Sequence, residues 1–397
     1  MSYLEDNIQR LINQGKIEDK VILWGIGKQT DEVIDCLHEK RISILFIIDN
    51  FKSLFWHTYH NIVVADSRIL GDGNYKDEIV LLAVNYSDSI RKQLNACGVY
   101  NVINLRNLDE QFCLPECGIE YFFEDRSSGE ECLCYILAGY ESELWESTIA
   151  RIEKYQEKCV DICIVSSGKY DSQLELIAKR NKWSYLYTKV NQVCYIQNKV
   201  IELHPKAKYI IKMDEDMFVS QDFFSSMIDG MKDVENQGEY HVNFVVPTIP
   251  LNCAGYVSYL KGINCLSEYE KRFGRAYRSR FSAIFSVEEV AEYLWDTIDS
   301  FDNMAEFFSR KEGWNIVNCY FNIGCIMYTR QRWIMMGKWP ENANESGMGT
   351  DEAYIYSDGL EKDLAIYELK NVLVGHLAFG HQKKRMMEYY RKNKEKF

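Results

Sequence analysis

Short apolar runs alternate with segments of helical period along most of the chain. Residues 21–24 form a short apolar run that predicts a strand. Residues 31–40 follow, with Val33, Ile34 and Leu37 on one helical face. Residues 42–48, 62–64, 79–84 and 101–103 predict further strands. Residues 87–96 predict a helix, with Gly98 just past its end. This alternation implies a parallel sheet with helices on its faces over residues 1–108. The periodicity is lost over 109–131, where Pro115, Gly118 and Gly129 and the acidic pair Glu124-Asp125 predict a linker.

The pattern resumes at residue 132. Strands are expected at 132–138, 161–165, 183–187 and 209–213, and helices at 142–157, 172–182 and 190–203, the last ended by Pro205. Residues 240–246 predict another strand. Residues 248–285 read as irregular and polar-aromatic, with Lys271, Arg272, Arg275, Arg278 and Arg280. Ser286-Val287-Glu288-Glu289 matches a capping box opening a helix to about residue 300. Residues 318–328 read as a strand pair or bent strand around Gly324, and 371–375 as a strand leading into His376. The basic run 383–396 reads as a solvated helix, with weak attraction to a membrane surface as the alternative, and 386–397 as a basic tail.

The most informative stretch is YIIKMDEDMF at 209–218. Its apolar strand delivers Asp214, Glu215 and Asp216 without a gap. Unpaired buried charge costs roughly several kcal/mol per ion. Carboxylates at i and i+2 of a strand end suit a hard cation, so Asp214-Glu215-Asp216 reads as a D-x-D metal site. The alternative is a helix cap in a solvated turn.

Composition narrows the class. The 397 residues suffice for two or three domains, and 47% hydrophobic residues with only 5 prolines describe a globular chain. A net charge of −13 argues against nucleic-acid binding. No apolar run approaches the roughly 20 residues of a membrane helix. The start, MSYLEDNIQRL, lacks the apolar core of a signal peptide. The 13 cysteines lie mostly in apolar segments, which predicts reduced thiols and a cytoplasmic setting. Cys113 and Cys117 lack two further ligands, so zinc is not expected.

Gly25-x-Gly27-x-x-Thr30, with Asp49 about twenty residues on, approaches the dinucleotide fingerprint. Gly25, Gly27 and Asp49 are the ligand candidates of this segment. The alternative is a tight β-α turn that holds no nucleotide. Residues 1–108 resemble the small Rossmann-like domains that accompany bacterial sugar-modifying enzymes.

Residues 132–220 resemble the nucleotide-binding half of a GT-A glycosyltransferase, most similar to the family 2 inverting enzymes. The carrying residues are Ala138-Gly139-Tyr140, Ser166-Ser167-Gly168, the helix between Asn191 and Asn198, and Asp214-Glu215-Asp216. Asn191-Gln192 stands where many members have Asn-Gly. The resemblance extends through Gly324, Thr350-Asp351-Glu352 and the histidines of GHLAFGHQ, which gives a GT-A domain over 132–385.

It implies that Ala138, Tyr140, Ser167, Asp171, Asn191, Asn198, Asp214 and Glu215 face the donor nucleotide, and Gly324 the donor sugar. Asp214 and Asp216 would hold Mn²⁺ or Mg²⁺, with His376 or His381 completing the site; neither histidine need bind. Asp351 would be the catalytic base, with Glu352 as alternative, although these acids suit a helix cap equally. The implied function is transfer of a sugar from a nucleoside-diphosphate sugar, most commonly a UDP-sugar, to a saccharide or lipid-linked saccharide. Cell-surface polysaccharide synthesis, at most at the inner face of a membrane, is the expected setting. The competing readings are a nucleotide-sugar oxidoreductase or epimerase run by the N-terminal domain, and a scaffold role for that domain.

Overall fold

A computed structural model describes residues 3–397 apart from 28, 51–56, 72, 85, 86, 107, 109–118, 280 and 342–349. Cys113, Cys117, Pro115, Gly118 and Arg280 lie outside the described residues, as does the first part of the expected linker. The chain divides into two compact units, Met1–Gly118 with Gln331–Lys338, and Ile119–Arg330 with Trp339–Phe397. Both are α/β. No helix among the described residues is long and apolar enough to cross a membrane.

The first unit carries strands β1 (Lys20–Trp24), β2 (Ser43–Asp49), β3 (Thr58–Tyr59), β4 (Ile62–Asp66), β5 (Val80–Leu82) and β6 (Val102–Asn104). Their order in the sheet is β3-β4-β2-β1-β5-β6. All pairs are parallel except the short β3–β4 hairpin. A helix at Tyr3–Asn13, absent from the sequence reading, buries Leu4, Ile8 and Leu11 against Val33, Ile34 and Leu37 of the helix Thr30–Glu39. The 4-8-11 spacing is a single helical stripe diluted by charged neighbours.

The second unit is built on a nine-stranded mixed sheet. Its strands are β7 (Tyr121–Glu124), β8 (Cys132–Leu137), β9 (Val160–Ser166), β10 (Ser184–Thr188), β11 (Tyr209–Asp214), β13 (Val242–Thr248), β14 (Trp314–Val317), β15 (Cys325–Thr329) and β16 (Ala365–Leu373). The pair β12 (Met217–Phe218) and β17 (Gly375–His376) stands apart from it. The order is β14-β16-β13-β15-β11-β8-β9-β10-β7. Strands β10, β9, β8 and β11 run parallel, so their carboxyl ends share one edge. Strand β11 lies between β8 and antiparallel β15, and Ile210, Ile211, Lys212 and Met213 are all buried. A strand covered on both faces reads as a continuous apolar run, which is why it is visible in the sequence.

Several expectations differ from the structure. Tyr121–Glu124, expected in the linker, is an edge strand antiparallel to β10, with Phe122 stacked on Tyr187. Four residues are too few to show an alternation. Residues 248–285 are not irregular: helices form at Gly255–Gly262, Leu266–Phe273 and Ala283–Ser286. Tyr256, Tyr259, Leu260 and Tyr269 are buried there beside Leu294 and Trp295, so this aromatic segment is core. The expected capping box does not form. Ser286 closes the preceding turn, Val287 is the cap position, and the helix spans Glu288–Asp296, followed by another at Phe301–Ser309. Of residues 318–328, expected as a strand pair or bent strand around Gly324, only the part from Cys325 is strand: β15 runs antiparallel to β11, and β14 ends at Val317 before the segment begins.

The basic C-terminal run is docked on the second unit. The helix Lys383–Lys392 buries Met386 and Tyr390. Arg385 pairs with Glu289 and Glu292, Arg391 with Glu143, and Lys394 with Glu146. These cations meet acids of the same unit, which weakens the reading of the run as a free basic tail for a membrane surface.

Candidate active site

Three consecutive acids at the end of β11 take three different surroundings. Successive side chains alternate direction where a strand runs out. Glu215 therefore turns away from its neighbours. Its buried carboxylate accepts from Gly139 N and Tyr140 N, each at 2.9 Å, and from Trp145 Nε1 at 2.6 Å. This carboxylate, expected at the donor nucleotide, is spent on shaping the loop after β8. Each donor stranded by its removal costs about 1–3 kcal/mol. Glu215→Ala is accordingly expected to lower unfolding free energy by roughly 3–5 kcal/mol in urea titration. A loss below about 0.5 kcal/mol would show that the loop does not depend on it.

Asp214 is held from within the strand. Lys212, two residues earlier and on the same face, is buried, and its Nζ lies 2.7 Å from Asp214 Oδ1 and 3.0 Å from Ile323 O. Burial alone would lower the Lys212 pKa, but the carboxylates of Asp214, Asp351 and Glu352 outweigh it and raise it. Burial pushes the Asp214 carboxyl up to about 6, with Asp216 and Asp351 adding and Lys212 opposing. The backbone amide of Asp214 donates to Gly324 O at 2.7 Å. A Cβ on Gly324 would stand 2.0 Å from Met217 Cε and 3.4 Å from Asp214 Oδ2, so a larger residue in the loop before β15 would have to displace the Met217 side chain.

Asp216 has a different partner. His376 on β17 places Nε2 3.2 Å from Asp216 Oδ2, while its Nδ1 meets Leu251 O at 2.8 Å. The β12–β17 register, Met217 opposite His376, sets this meeting. Burial works against both charges, but their mutual attraction prevails. It holds Asp216 below the usual carboxylate range and raises His376 to about 9. His381 is exposed on a short turn, its ring near Phe285.

Asp351 and Glu352 open the helix Thr350–Glu361. Asp351 Oδ2 accepts from Gln197 Nε2 at 3.0 Å, and Oδ1 accepts from the amide of Glu352 at 2.9 Å. Gln197 is fully buried and continues a chain of hydrogen bonds through Tyr135 (2.7 Å) to Tyr328 (3.0 Å). Glu352 Oε1 accepts from Asn322 Nδ2 at 3.0 Å. Burial pushes the Glu352 carboxyl up to about 7, with a Tyr320 hydrogen bond and Lys212 opposing and Asp351 and Asp214 adding.

The remaining donor candidates divide between surface and scaffold. Tyr140 is 62% exposed, donates its hydroxyl to Ser167 O at 2.7 Å, and has Lys169 over its ring. Ser167 Oγ accepts from Gln192 N at 2.8 Å, and Asn191 is exposed beside Gly168. Ala138 is buried, its amide bonded to Val165 O. Asp171 caps the helix Ser172–Asn181 through Gln173 N and Leu174 N. Asn198 is buried and bonded to Trp339 and Glu341, a scaffold contact. Lys212, Gln197, Trp145, Asn322 and the Glu141–Lys383 pair were not read from the sequence. The one available signal was a lysine inside an otherwise apolar strand two residues before an acid.

In the first unit the glycine turn is satisfied by its own residues. Asp49 Oδ2 accepts from Ile26 N at 3.1 Å, Gly27 N donates to Thr30 Oγ1 at 2.8 Å, and Thr30 Oγ1 donates to Gly25 O at 3.1 Å. Gly25 has φ +90°, and a Cβ there would meet Val84 Cγ1 at 2.5 Å. Thr30, in place of a third glycine, closes the turn and occupies an amide that a phosphate would use.

Among the described residues no group of three or more His, Cys, Asp or Glu side chains is arranged to hold a metal ion. The expected set of Asp214, Asp216, His376 and His381 is thus not assembled. Lys212 engages Asp214 Oδ1, and His381 is exposed on its turn. Asp216 and His376 remain together. The Asp216 carboxylate and, once an ion displaces its proton, the His376 Nε2 fit a metal that takes its other ligands from phosphate oxygens and water.

Residues 17–102 match the family described as C2185-like, N-terminal. Curated protein sequences give no match. Among solved structures, the chain is similar to the mannosyltransferase PcManGT from Pyrobaculum calidifontis in complex with GDP-Man and Mn²⁺, at 11% identity and TM-score 0.38, covering 64% of this chain and 58% of that one. It is also similar to S. aureus TarS 1–349 in complex with UDP, at 12% identity and TM-score 0.35, covering 65% and 63%. The TarS complex with UDP-GlcNAc gives 13% identity and TM-score 0.33, covering 63% and 60%. The chain therefore spans about three-fifths of the length of these structures.

Proposed function

We propose that the second unit is an inverting, metal-dependent glycosyltransferase that moves a sugar from a nucleoside-diphosphate sugar to a hydroxyl of a saccharide or lipid-linked saccharide. The observation that carries this reading is the convergence at one sheet edge of the Asp216–His376 pair with Asp214, Asp351 and Glu352. These groups come from β11, β17 and the helix Thr350–Glu361. Ligands bind at the carboxyl edge of parallel strands in open α/β sheets.

Asp216 and His376 would hold Mn²⁺ or Mg²⁺ jointly with the donor. A divalent ion bound there offsets the charge of the departing diphosphate. Asp214, engaged by Lys212, lends charge and orientation rather than a full ligand. Gly324 leaves room for the donor sugar, and the exposed Tyr140 and Asn191 face the nucleotide. The acceptor hydroxyl gives its proton to a carboxylate as it attacks. Glu352 suits this role better than the expected Asp351. Both oxygens of Asp351 are bonded within the protein, one to Gln197 and one to the amide of Glu352, whereas Glu352 is bonded through Oε1 to Asn322 and its carboxyl is poised by burial near neutrality. Asp351 then positions Glu352. Attack opposite the leaving group inverts the anomeric carbon.

The first unit serves as a binding or scaffold domain, since the amides of Ile26 and Gly27 are already taken. A cytoplasmic setting for polysaccharide synthesis, with peripheral membrane contact at most, belongs to the same proposal. The test is a thermal-shift and hydrolysis screen of UDP- and GDP-sugars with and without Mn²⁺. At least one donor is expected to raise the melting temperature only with Mn²⁺ and to be hydrolysed or transferred. No shift and no turnover across the panel would reject the reading.

A further inference from the structure

Glu141 and Lys383 lie 242 residues apart in the chain and form an ion pair. Glu141 follows Gly139 and Tyr140, whose amides are fixed by Glu215. Lys383 begins the C-terminal helix, and its main chain is anchored on both sides. Before it, fully buried Gln382 donates to Ile284 O (2.9 Å) and Val287 O (3.2 Å) and accepts from Phe379 N (3.2 Å). After it, Tyr390 bonds Ser147 at 2.6 Å, and Arg391 grips both oxygens of Glu143 at 2.6 and 2.7 Å. The root of the side chain is therefore fixed.

The far end is accessible. The Lys383 side chain is 43% exposed and that of Glu141 20%. Among the described residues, the cations that act most strongly on Asp214 and Asp216 are Lys212, His376 and Lys383. The side chain of Lys212 is 3% exposed and that of His376 11%, so neither extends into solvent. Lys383 is the one of the three with a long, partly free chain. Glu141 is a poor permanent partner for it. Its carboxylate is partly desolvated and is repelled by Asp216 and Glu215. A diphosphate arriving at Asp216 offers the same ammonium a denser negative charge.

We infer that Lys383 binds the diphosphate of the donor, and that Glu141 is the internal anion that holds the ammonium group at the site until the diphosphate displaces it. The inference rests on the functional reading above and deepens it. It assigns a nucleoside-diphosphate contact to the C-terminal helix.

Calorimetric titration of UDP and of GDP in the presence of Mn²⁺ tests it on the full chain. Lys383→Met is expected to weaken the binding nucleotide about tenfold or more, as loss of a charge-assisted contact does. Glu141→Gln is expected to tighten it about threefold or more, because the ammonium no longer has to leave a charged partner. In the double variant the gain from Glu141→Gln disappears. Lys383→Met affinity within about twofold of the unsubstituted protein, or a Glu141→Gln effect that persists unchanged without Lys383, would overturn the inference. If Lys383→Met does not fold, Glu141→Gln alone decides: tighter binding supports the displacement, and equal or weaker binding refutes it. Asp216→Ala separates the two levels. If the unsubstituted protein binds neither nucleotide, the functional reading falls and the inference with it. If it binds, Asp216→Ala does not and Lys383→Met does, the inference alone falls.

Discussion

Asp216→Ala is expected to reduce Mn²⁺-dependent donor turnover by on the order of 10²–10³-fold, the scale of losing one preorganised group at a developing charge. The loss should appear in hydrolysis as well as transfer, because it precedes any role of the acceptor. Asp216 is the acid joined to His376 at 3.2 Å, whereas Asp214 is already engaged by Lys212. Asp214→Asn is therefore expected to cost less than Asp216→Ala. Equal activity of Asp216→Ala and the unsubstituted protein, at saturating donor and Mn²⁺, would remove the basis for the assignment.

The same substitution carries a pH signature in metal-free protein. The Asp216 carboxyl is held below its ordinary 3.8, so its stabilising contribution is present above that value and lost as the pH falls through the depressed one. His376 is raised from 6.5 to about 9, so its contribution is complete below 6.5 and lost as the pH rises through about 9. The stability lost in Asp216→Ala should be largest between 3.8 and 6.5 and should fade above about 9. Urea unfolding with a chelator present, repeated across pH, reads this directly. A penalty that does not vary with pH would mean that the pair contributes by packing and not by charge.

Glu352→Gln is expected to lower kcat by roughly 10²–10⁴-fold while leaving donor binding intact, as removal of a general base does. A base works deprotonated. Burial pushes the Glu352 carboxyl up to about 7, so kcat/KM should be lost as the pH falls through about 7 and reach a plateau above it. Glu352→Gln should lack that ascending limb. Asp351→Asn, which disturbs the Gln197 contact and the helix start, should cost a smaller factor of about 10–100 and keep the limb. If Asp351→Asn instead carries the large loss and Glu352→Gln turns over normally, the base is Asp351 and the present assignment is reversed.

Legibility followed the range of the interactions. The strands of both sheets were readable wherever burial on both faces made a continuous apolar run, as in Ile210–Ile211 and Ile162–Val165. The helices of 255–286 were not, because aromatic and glycine-rich turns give no clean period until their burial against Trp295 and Leu294 is known. The strand at Tyr121–Glu124 was hidden by its brevity. The C-terminal helix was readable as a helix but not as a docked one, since its acidic partners lie far away in the chain.

For the candidate site, the chain by itself determined that three acids end a buried strand and that something must offset their charge. That follows from local order alone: an apolar run, then Asp214, Glu215 and Asp216. It also determined the β-α turn of Gly25, Gly27 and Thr30. Only the tertiary structure decided how the charge is divided. Lys212 turns back onto Asp214, Glu215 turns to the loop after β8, and β17 brings His376 to Asp216. The same holds for Lys383 and Glu141. The physical reason is that a carboxylate's role is set by which charges and donors surround it. In this protein those partners, Lys212 apart, come from other elements, set by sheet order and helix docking rather than by neighbouring sequence.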